Sequence, residues 1–382
     1  MDVWEAYRAE WPYLAQGTLW LQHAGITPPC SRVLNAARAA MDGFANDPAG
    51  YYRSLWHRAT DGARGAVADF LETTPDRVAL VKNTSQGIIL VAEGYPWRRG
   101  DNVVTLAGEY PANRLPWRAA AQLGATVRVV EPDYQGCFGV DRIAAAVDDQ
   151  TAIVAVSWVQ YLNGFQIDLP ALAEVCRRHD AFLVVDGVQG VGALPVPLEA
   201  CDALAVGGHK WLCGTEGAGF LYLAPRLLER LRPLHVSWHS VAVDLSVPGA
   251  EIDTEEGLPA LKPGAERYEE GTPNAFGNVM LAEAVGMLGE IGVERIARRH
   301  RELQEHLLDL IEPLDYHAAS SLGEGERSGI LAIYHNSLEP EQIVDRLKRE
   351  RIIAIRRGDA VRLSPHFYNN LDDMERVAAA LR

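Results

Sequence analysis

The sequence predicts an α/β fold, with a large domain on a mainly parallel sheet followed by a small C-terminal α+β domain. Short apolar runs alternate with helical stretches between residues 78 and 223, the pattern of crossover units. Two of those runs, 182–185 and 203–206, are apolar at every position, as strands covered on both faces are. With 382 residues and 48% hydrophobic content, the chain is long enough for one large domain and a smaller one. The reading divides the chain into an N-terminal segment, 1–20, packing with the small domain, a large domain, 21–275, and a small domain, 276–382.

In order, residues 1–20 read as a helix leading into a short extended piece at 18–22. Pro28 and Pro29 close the next loop, and Ser31 is placed to cap a helix whose Val33, Leu34, Ala37 and Met41 recur at helical spacing. Residues 46–59, NDPAGYYRSLWHRA, are aromatic and basic together, and read as a packed crossover between domains. A strand at 78–82 runs into a helix opening NTSQG. There Thr84 and Ser85 offer hydroxyls and backbone N–H groups suited to a phosphate, although simple N-capping uses the same residues. Strands follow at 101–106, 126–130 and 153–157, with helices at 113–123 and 141–147 between them. After the last strand, Trp158, Gln160, Tyr161 and Asn163 cluster at its C-terminal end, where an Asn163-Gly164 turn is the other reading.

The stretch 182–219 is the chemical centre. One strand ends in Asp186, and the next stops at Gly207 and Gly208 before His209 and Lys210. Ligands of open α/β sheets gather at that C-terminal edge. Lys210 is flanked by Gly207, Gly208, Trp211 and Leu212, a setting that desolvates an ammonium and lowers its pKa. Such a lysine suits Schiff-base chemistry, and a carboxylate nearby suits a pyridinium nitrogen, which together form the pyridoxal phosphate (PLP) pattern. Beyond a further strand, 233–270 lacks periodicity and reads as a long irregular loop ending in YEEGTPNAFGN. The remainder reads as helices at 278–300, 302–312, 340–351 and 371–381, with strands at 329–335, 352–356 and 360–364.

DGVQGVGALP at 186–195, followed by GGHKW at 207–211, resembles the class V aminotransferase family of fold-type I PLP enzymes. That family includes cysteine desulfurases, cysteine/cystine lyases, isopenicillin N epimerases and kynureninases, and the resemblance spans nearly the whole chain. It implies the fold-type I transferase architecture, PLP as cofactor and a homodimer. By the same resemblance Lys210 and Asp186 are catalytic: Lys210 carries the cofactor and moves protons, and Asp186 keeps the pyridine nitrogen protonated. Gln189 and an asparagine matching Asn163 approach the phenolic oxygen, although Tyr161 stands at the ungapped position. Thr84, Ser85 and His209 serve the phosphate, and Gly271-Thr272 reaches the phosphate of the neighbouring subunit. Tyr110 occupies the place of a stacking histidine, and Gly207 that of a serine that donates to phosphate. RRGDAVRLSPHFYNN resembles the family's carboxylate-binding stretch, with Arg362 as the clamp and Arg356 as a second candidate. The entry region places His23 at the substrate mouth.

Composition narrows the function. Net charge is −15, from 36 basic and 51 acidic residues, which argues against a nucleic-acid or anionic-membrane surface. No run is apolar for the length of a membrane helix, and MDVWEAYRAEWPYL is unlike a signal peptide, so a cytoplasmic enzyme is expected, and the resemblance implies an amino acid as its small-molecule substrate. Five cysteines without a CxxC pair indicate neither a disulfide framework nor a metal site. The desulfurases of the resembled family use a thiolate from the C-terminal part, and no cysteine follows Cys213 here. The expected activity is therefore C–S lyase chemistry, β-elimination on a cysteine- or cystine-like substrate. Aminotransferase or epimerase chemistry is the alternative, and an idle PLP-fold binding module is a more distant one.

Overall fold

The computed structural model describes residues 3–243 and 257–382; the rest of the acid-rich loop expected at 233–270 lies outside the described residues. Among the described residues thirteen strands follow in chain order. They are β1 (Leu19–Trp20), β2 (Val78–Val81), β3 (Asn102–Leu106), β4 (Thr126–Val130), β5 (Thr151–Ser157), β6 (Phe182–Asp186), β7 (Ala203–Gly207), β8 (Gly219–Leu223), β9 (Tyr316–Ala318), β10 (Leu331–His335), β11 (Ile352–Ile353), β12 (Ile355–Arg357) and β13 (Ala360–Leu363). Strands β2 to β8 form one seven-stranded sheet in the order β2-β8-β7-β6-β5-β3-β4. Five neighbouring strands, β7 to β4 in that order, are parallel; β8 runs antiparallel to both β2 and β7.

Side chains alternate across a strand, so each fully buried strand feeds two cores. In β6, Leu183 and Val185 enter a core shared with Trp158, Trp211 and the helix Ala275–Ile291. Phe182 and Val184 enter the opposite core, with Ile88, Trp117 and Leu227. This double burial explains why the strands read as unbroken apolar runs. It also makes the C-terminal ends of the inner strands a place where polar side chains gather.

The C-terminal part packs a third core around Leu303, Leu331, Ile343, Val361 and Val377. Its antiparallel sheet has the order β12-β13-β10-β9. Leu19 and Leu21 of the N-terminal segment belong to this core, and β1 pairs in parallel with β11. Arg8 adds two hydrogen bonds to Asp373, of 2.7 and 2.9 Å.

Several elements differ from the sequence reading. The helix expected at 278–300 is two helices, Ala275–Ile291 and Val293–Ile311, bent by 76° at Gly292. Gly292 has φ +86° and ψ 119°, a conformation open to glycine alone, so it breaks a stretch whose composition is helical on both sides. The stretch 352–356 splits at Ala354, because β11 joins β1 whereas β12 joins β13. Ser31 is the first helical residue, with Cys30 at the cap position and no side-chain cap, and Met41 is exposed. Strand β9 was not foreseen; its three residues carry no alternation long enough to read. Among the described residues no single helix is long and apolar enough to cross a membrane.

Candidate active site

The C-terminal ends of β5, β6 and β7 lie side by side, in register from Ser157 to Asp186 and from Asp186 to Ala205. Asp186 ends β6 with its side chain buried. Its carboxylate takes one hydrogen bond from the protein among the described residues, the Val188 N–H at 3.0 Å. Burial pushes its pKa up to about 6, opposed by that hydrogen bond and by Lys210.

The turn after Asp186 is shaped by glycines. A Cβ at Gly190 would meet the Trp158 ring at 2.2 Å, and one at Gly192, where φ is +93°, would meet the Trp211 carbonyl at 2.5 Å. This close packing fixes Gln189, whose Nε2 donates to the Ala24 carbonyl at 2.8 Å and whose Oε1 accepts from Trp211 Nε1 at 2.9 Å. Trp211 is fully buried beneath Gly329 as well, so the residue next to Lys210 is held on all sides. The carbonyl of His209 accepts from Thr27, and that of Lys210 from Cys213.

Lys210 therefore stands on a rigid turn. Its ammonium finds no hydrogen-bonding or ionic partner in the chain among the described residues, and lies 5.7 Å from the centre of the Tyr110 ring. Burial lowers its pKa to about 8; Asp186 opposes the shift, whereas Arg362 and Arg357 reinforce it. Tyr110 is half exposed and meets Tyr161 edge-on at 5.3 Å. Beside it, Glu109 is buried against Ser157, and burial raises its pKa to about 7.

A second group of residues surrounds Gly207. Thr84 Oγ1, in the first turn of the helix Thr84–Gly94, accepts from the Gly207 N–H at 3.0 Å. A Cβ on Gly207 would stand 3.2 Å from the His209 ring and 3.4 Å from Thr84 Oγ1. The glycine thus leaves a small polar hollow at a helix N-terminus, the setting that favours a phosphate. Ser85 follows in the same turn and is partly exposed. Burial, then Lys210, lowers the His209 pKa, so this ring is a neutral neighbour to the hollow. Together with the unpaired ammonium and the buried carboxylate, the hollow fits PLP: lysine, acid and phosphate seat line one edge.

Arg362 comes from β13. Its guanidinium is 1% exposed, donates from Nη1 to the Tyr161 carbonyl at 2.7 Å and leaves Nε buried without a partner. Burial, then Arg357, lowers its pKa to about 10. An arginine buried beside two cations, with donor capacity unspent, is poised to receive an anion.

Three expected residues are placed elsewhere. His23 is fully buried, with Nδ1 2.6 Å from the Ser364 carbonyl and Nε2 2.5 Å from the Tyr368 hydroxyl. A carbonyl only accepts, so Nδ1 carries the proton and Nε2 accepts from Tyr368; burial drops the pKa to about 3. His23 ties the N-terminal segment to the small domain instead of lining a substrate mouth. Asn163 is a turn residue, donating to the Gly136 carbonyl at 3.0 Å and accepting from Phe165 N–H at 3.1 Å, and Tyr161 takes the place beside the site. Arg356 is exposed and ion-paired to Glu341, whereas its neighbour Arg357 faces Lys210 and Arg362. The sequence carried a sign of this, because strand alternation assigns the two arginines to opposite faces once the turn at Gly358 fixes the register. Thr272, expected to serve a neighbouring subunit, is exposed in a small cleft with Lys82, Gln86 and Glu270.

The family model for class-V aminotransferases matches residues 19–381. A probable cysteine desulfurase of Aeropyrum pernix is 32% identical over 403 residues, covering 98% of this chain and 96% of the relative. Two solved structures of C-DES superpose closely. One is a lysine-to-alanine mutant with glycine covalently linked to PLP (TM-score 0.87, 22% identity, covering 98% of each chain). The other, described as a cystine C–S lyase, is bound to its product cysteine persulfide (TM-score 0.86, 23% identity, covering 97% of this chain and 98% of that one).

Proposed function

The chain belongs to the class-V aminotransferase family, and from that premise we propose that it is a PLP-dependent C–S lyase acting on a cysteine- or cystine-like α-amino acid. The observation that carries the proposal is the arrangement of a desolvated, unpaired Lys210, a buried Asp186 and a buried, half-satisfied Arg362 around one strand edge.

Asp186 would hold the pyridine nitrogen, Lys210 the aldehyde carbon, and Thr84, Ser85 and His209 the phosphate. PLP, once bound, supplies the electron sink that stabilises negative charge at Cα. Arg362 receives the α-carboxylate and fixes the substrate against rotation. Lys210, with its pKa near 8, takes the Cα proton as a neutral amine and can then return a proton to the departing sulfur. With a thiol leaving from Cβ, water completes the balance: R–S–CH2–CH(NH2)–COOH + H2O gives R–SH, pyruvate and ammonia, with no change of oxidation state overall. Tyr110, whose ring centre is 5.7 Å from the Lys210 ammonium, would offer a phenol to stack on the cofactor ring, with no imidazole to relay protons.

All five cysteines are buried, and burial raises the Cys213 thiol well above its ordinary range. This disfavours a route in which a protein thiolate takes up sulfur. Gly271, partly exposed, and Thr272, exposed, are read as completing the phosphate seat of a second copy in a homodimer. The experiment is borohydride reduction of the holoenzyme and peptide mapping, alongside pyruvate release from cystine. Label on Lys210, with both label and pyruvate lost in Lys210→Ala, is the expected result; turnover surviving that substitution overturns the proposal.

A further inference from the structure

Register across the β12–β13 hairpin pairs Ile355 with Arg362, Arg356 with Val361 and Arg357 with Ala360. Alternation then puts Arg357 and Arg362 on one face and Arg356 on the other with Val361, which is buried in the small-domain core. The contacts agree: Arg356 pairs with Glu341, and Arg357 does not. Arg357 makes one weak hydrogen bond, from Nη1 to its neighbour's carbonyl at 3.4 Å, and its Nε is buried without a partner. Among the described residues neither Arg357 nor Arg362 has a carboxylate within ion-pairing distance.

This face therefore presents two cations, Arg357 and Arg362, in a chain with net charge −15, and Arg357 disfavours the charge of both Arg362 and Lys210. Among the described residues Asp186 is the one carboxylate acting on Lys210, and its proposed role is at the pyridine nitrogen. The α-carboxylate of an amino acid satisfies Arg362. Arg357 is left half-buried and uncompensated, which is costly unless an anion meets it. Its cross-strand partner on that face is Ala360, whose side chain offers it no polar group.

We propose that Arg357 receives a second anionic group, so that the preferred substrate is a β-substituted alanine whose departing group carries its own carboxylate or sulfonate. Cystine, with a carboxylate on its distal half, fits this class. The inference rests on the C–S lyase reading for the amino-acid frame of the ligand.

The test uses the holoenzyme and two near-isosteric ligands, S-carboxymethylcysteine and S-carbamoylmethylcysteine, with binding read from the shift in cofactor absorbance. The wild type should bind the acid about 10- to 100-fold more tightly than the amide, the range of one charge-assisted pair. In Arg357→Gln that ratio should fall towards one through loss of acid binding, and Arg357→Lys should restore part of it. A wild-type ratio near one overturns the inference. So does an equal weakening of both ligands in Arg357→Gln, which would make Arg357 a second hand on the α-carboxylate. Pyruvate release from β-chloroalanine, which has no distal charge, tests the lyase reading separately.

Discussion

Raising the pH of the cofactor-free protein through 8 should turn Lys210 from an ammonium into a nucleophile, well before an ordinary lysine responds. Burial places its pKa near 8 against 10.5 for a free side chain. At pH 7 about one Lys210 in ten is then neutral, against about one ordinary lysine in three thousand, a roughly 300-fold enrichment. The chain has only four lysines, at positions 82, 210, 262 and 348, so each can be followed in its own peptide. Competitive labelling with a small anhydride between pH 6 and 11, quantified by mass spectrometry, reads the midpoint at each site. The sign of two perturbations follows from the geometry. Asp186→Asn removes the carboxylate that favours the charged form, so the Lys210 midpoint should fall. Arg362→Gln removes a repelling cation, so it should rise. A Lys210 midpoint near 10.5, or movement of both variants in the same direction, would refute the desolvated-lysine account.

Arg362→Ala should raise the KM for any α-amino acid about 10- to 100-fold, with a smaller effect on kcat, as loss of a charge-assisted anion contact implies; steady-state kinetics on two substrates check it. Gly292→Ala should destabilise the fold by about 1–3 kcal/mol in urea denaturation, because the backbone conformation is the whole penalty. The nearest atom to an added Cβ there is Arg295 Cδ at 3.9 Å, so no clash contributes.

The centre of the large sheet was legible because its inner strands are buried on both faces, and 182–185 or 203–206 could hardly be anything else. Lys210, Asp186 and Thr84 were legible for a related reason: each is polar where an apolar strand stops. Arg362 stood out as a charge inside an apolar strand pattern. The misses share a different cause. Choosing Arg357 over Arg356 required the hairpin register, and that depends on the turn at Gly358 and on pairing with β13. His23 resembled an entry-loop residue because its partners, Ser364 and Tyr368, lie 341 and 345 positions away in the chain. Asn163 kept the turn role that its glycine neighbour advertises. The break at Gly292 hid inside helical composition, since one glycine there could equally have been tolerated.

The measurement that tests the central claim most directly is the product made from cystine and cysteine by the PLP-loaded enzyme. Pyruvate and ammonia in equal amounts, with no sulfur retained on the protein and no conversion of the cofactor to its amine form, is the result this account predicts. Alanine as the product, with a persulfide on a cysteine of the protein, would contradict it.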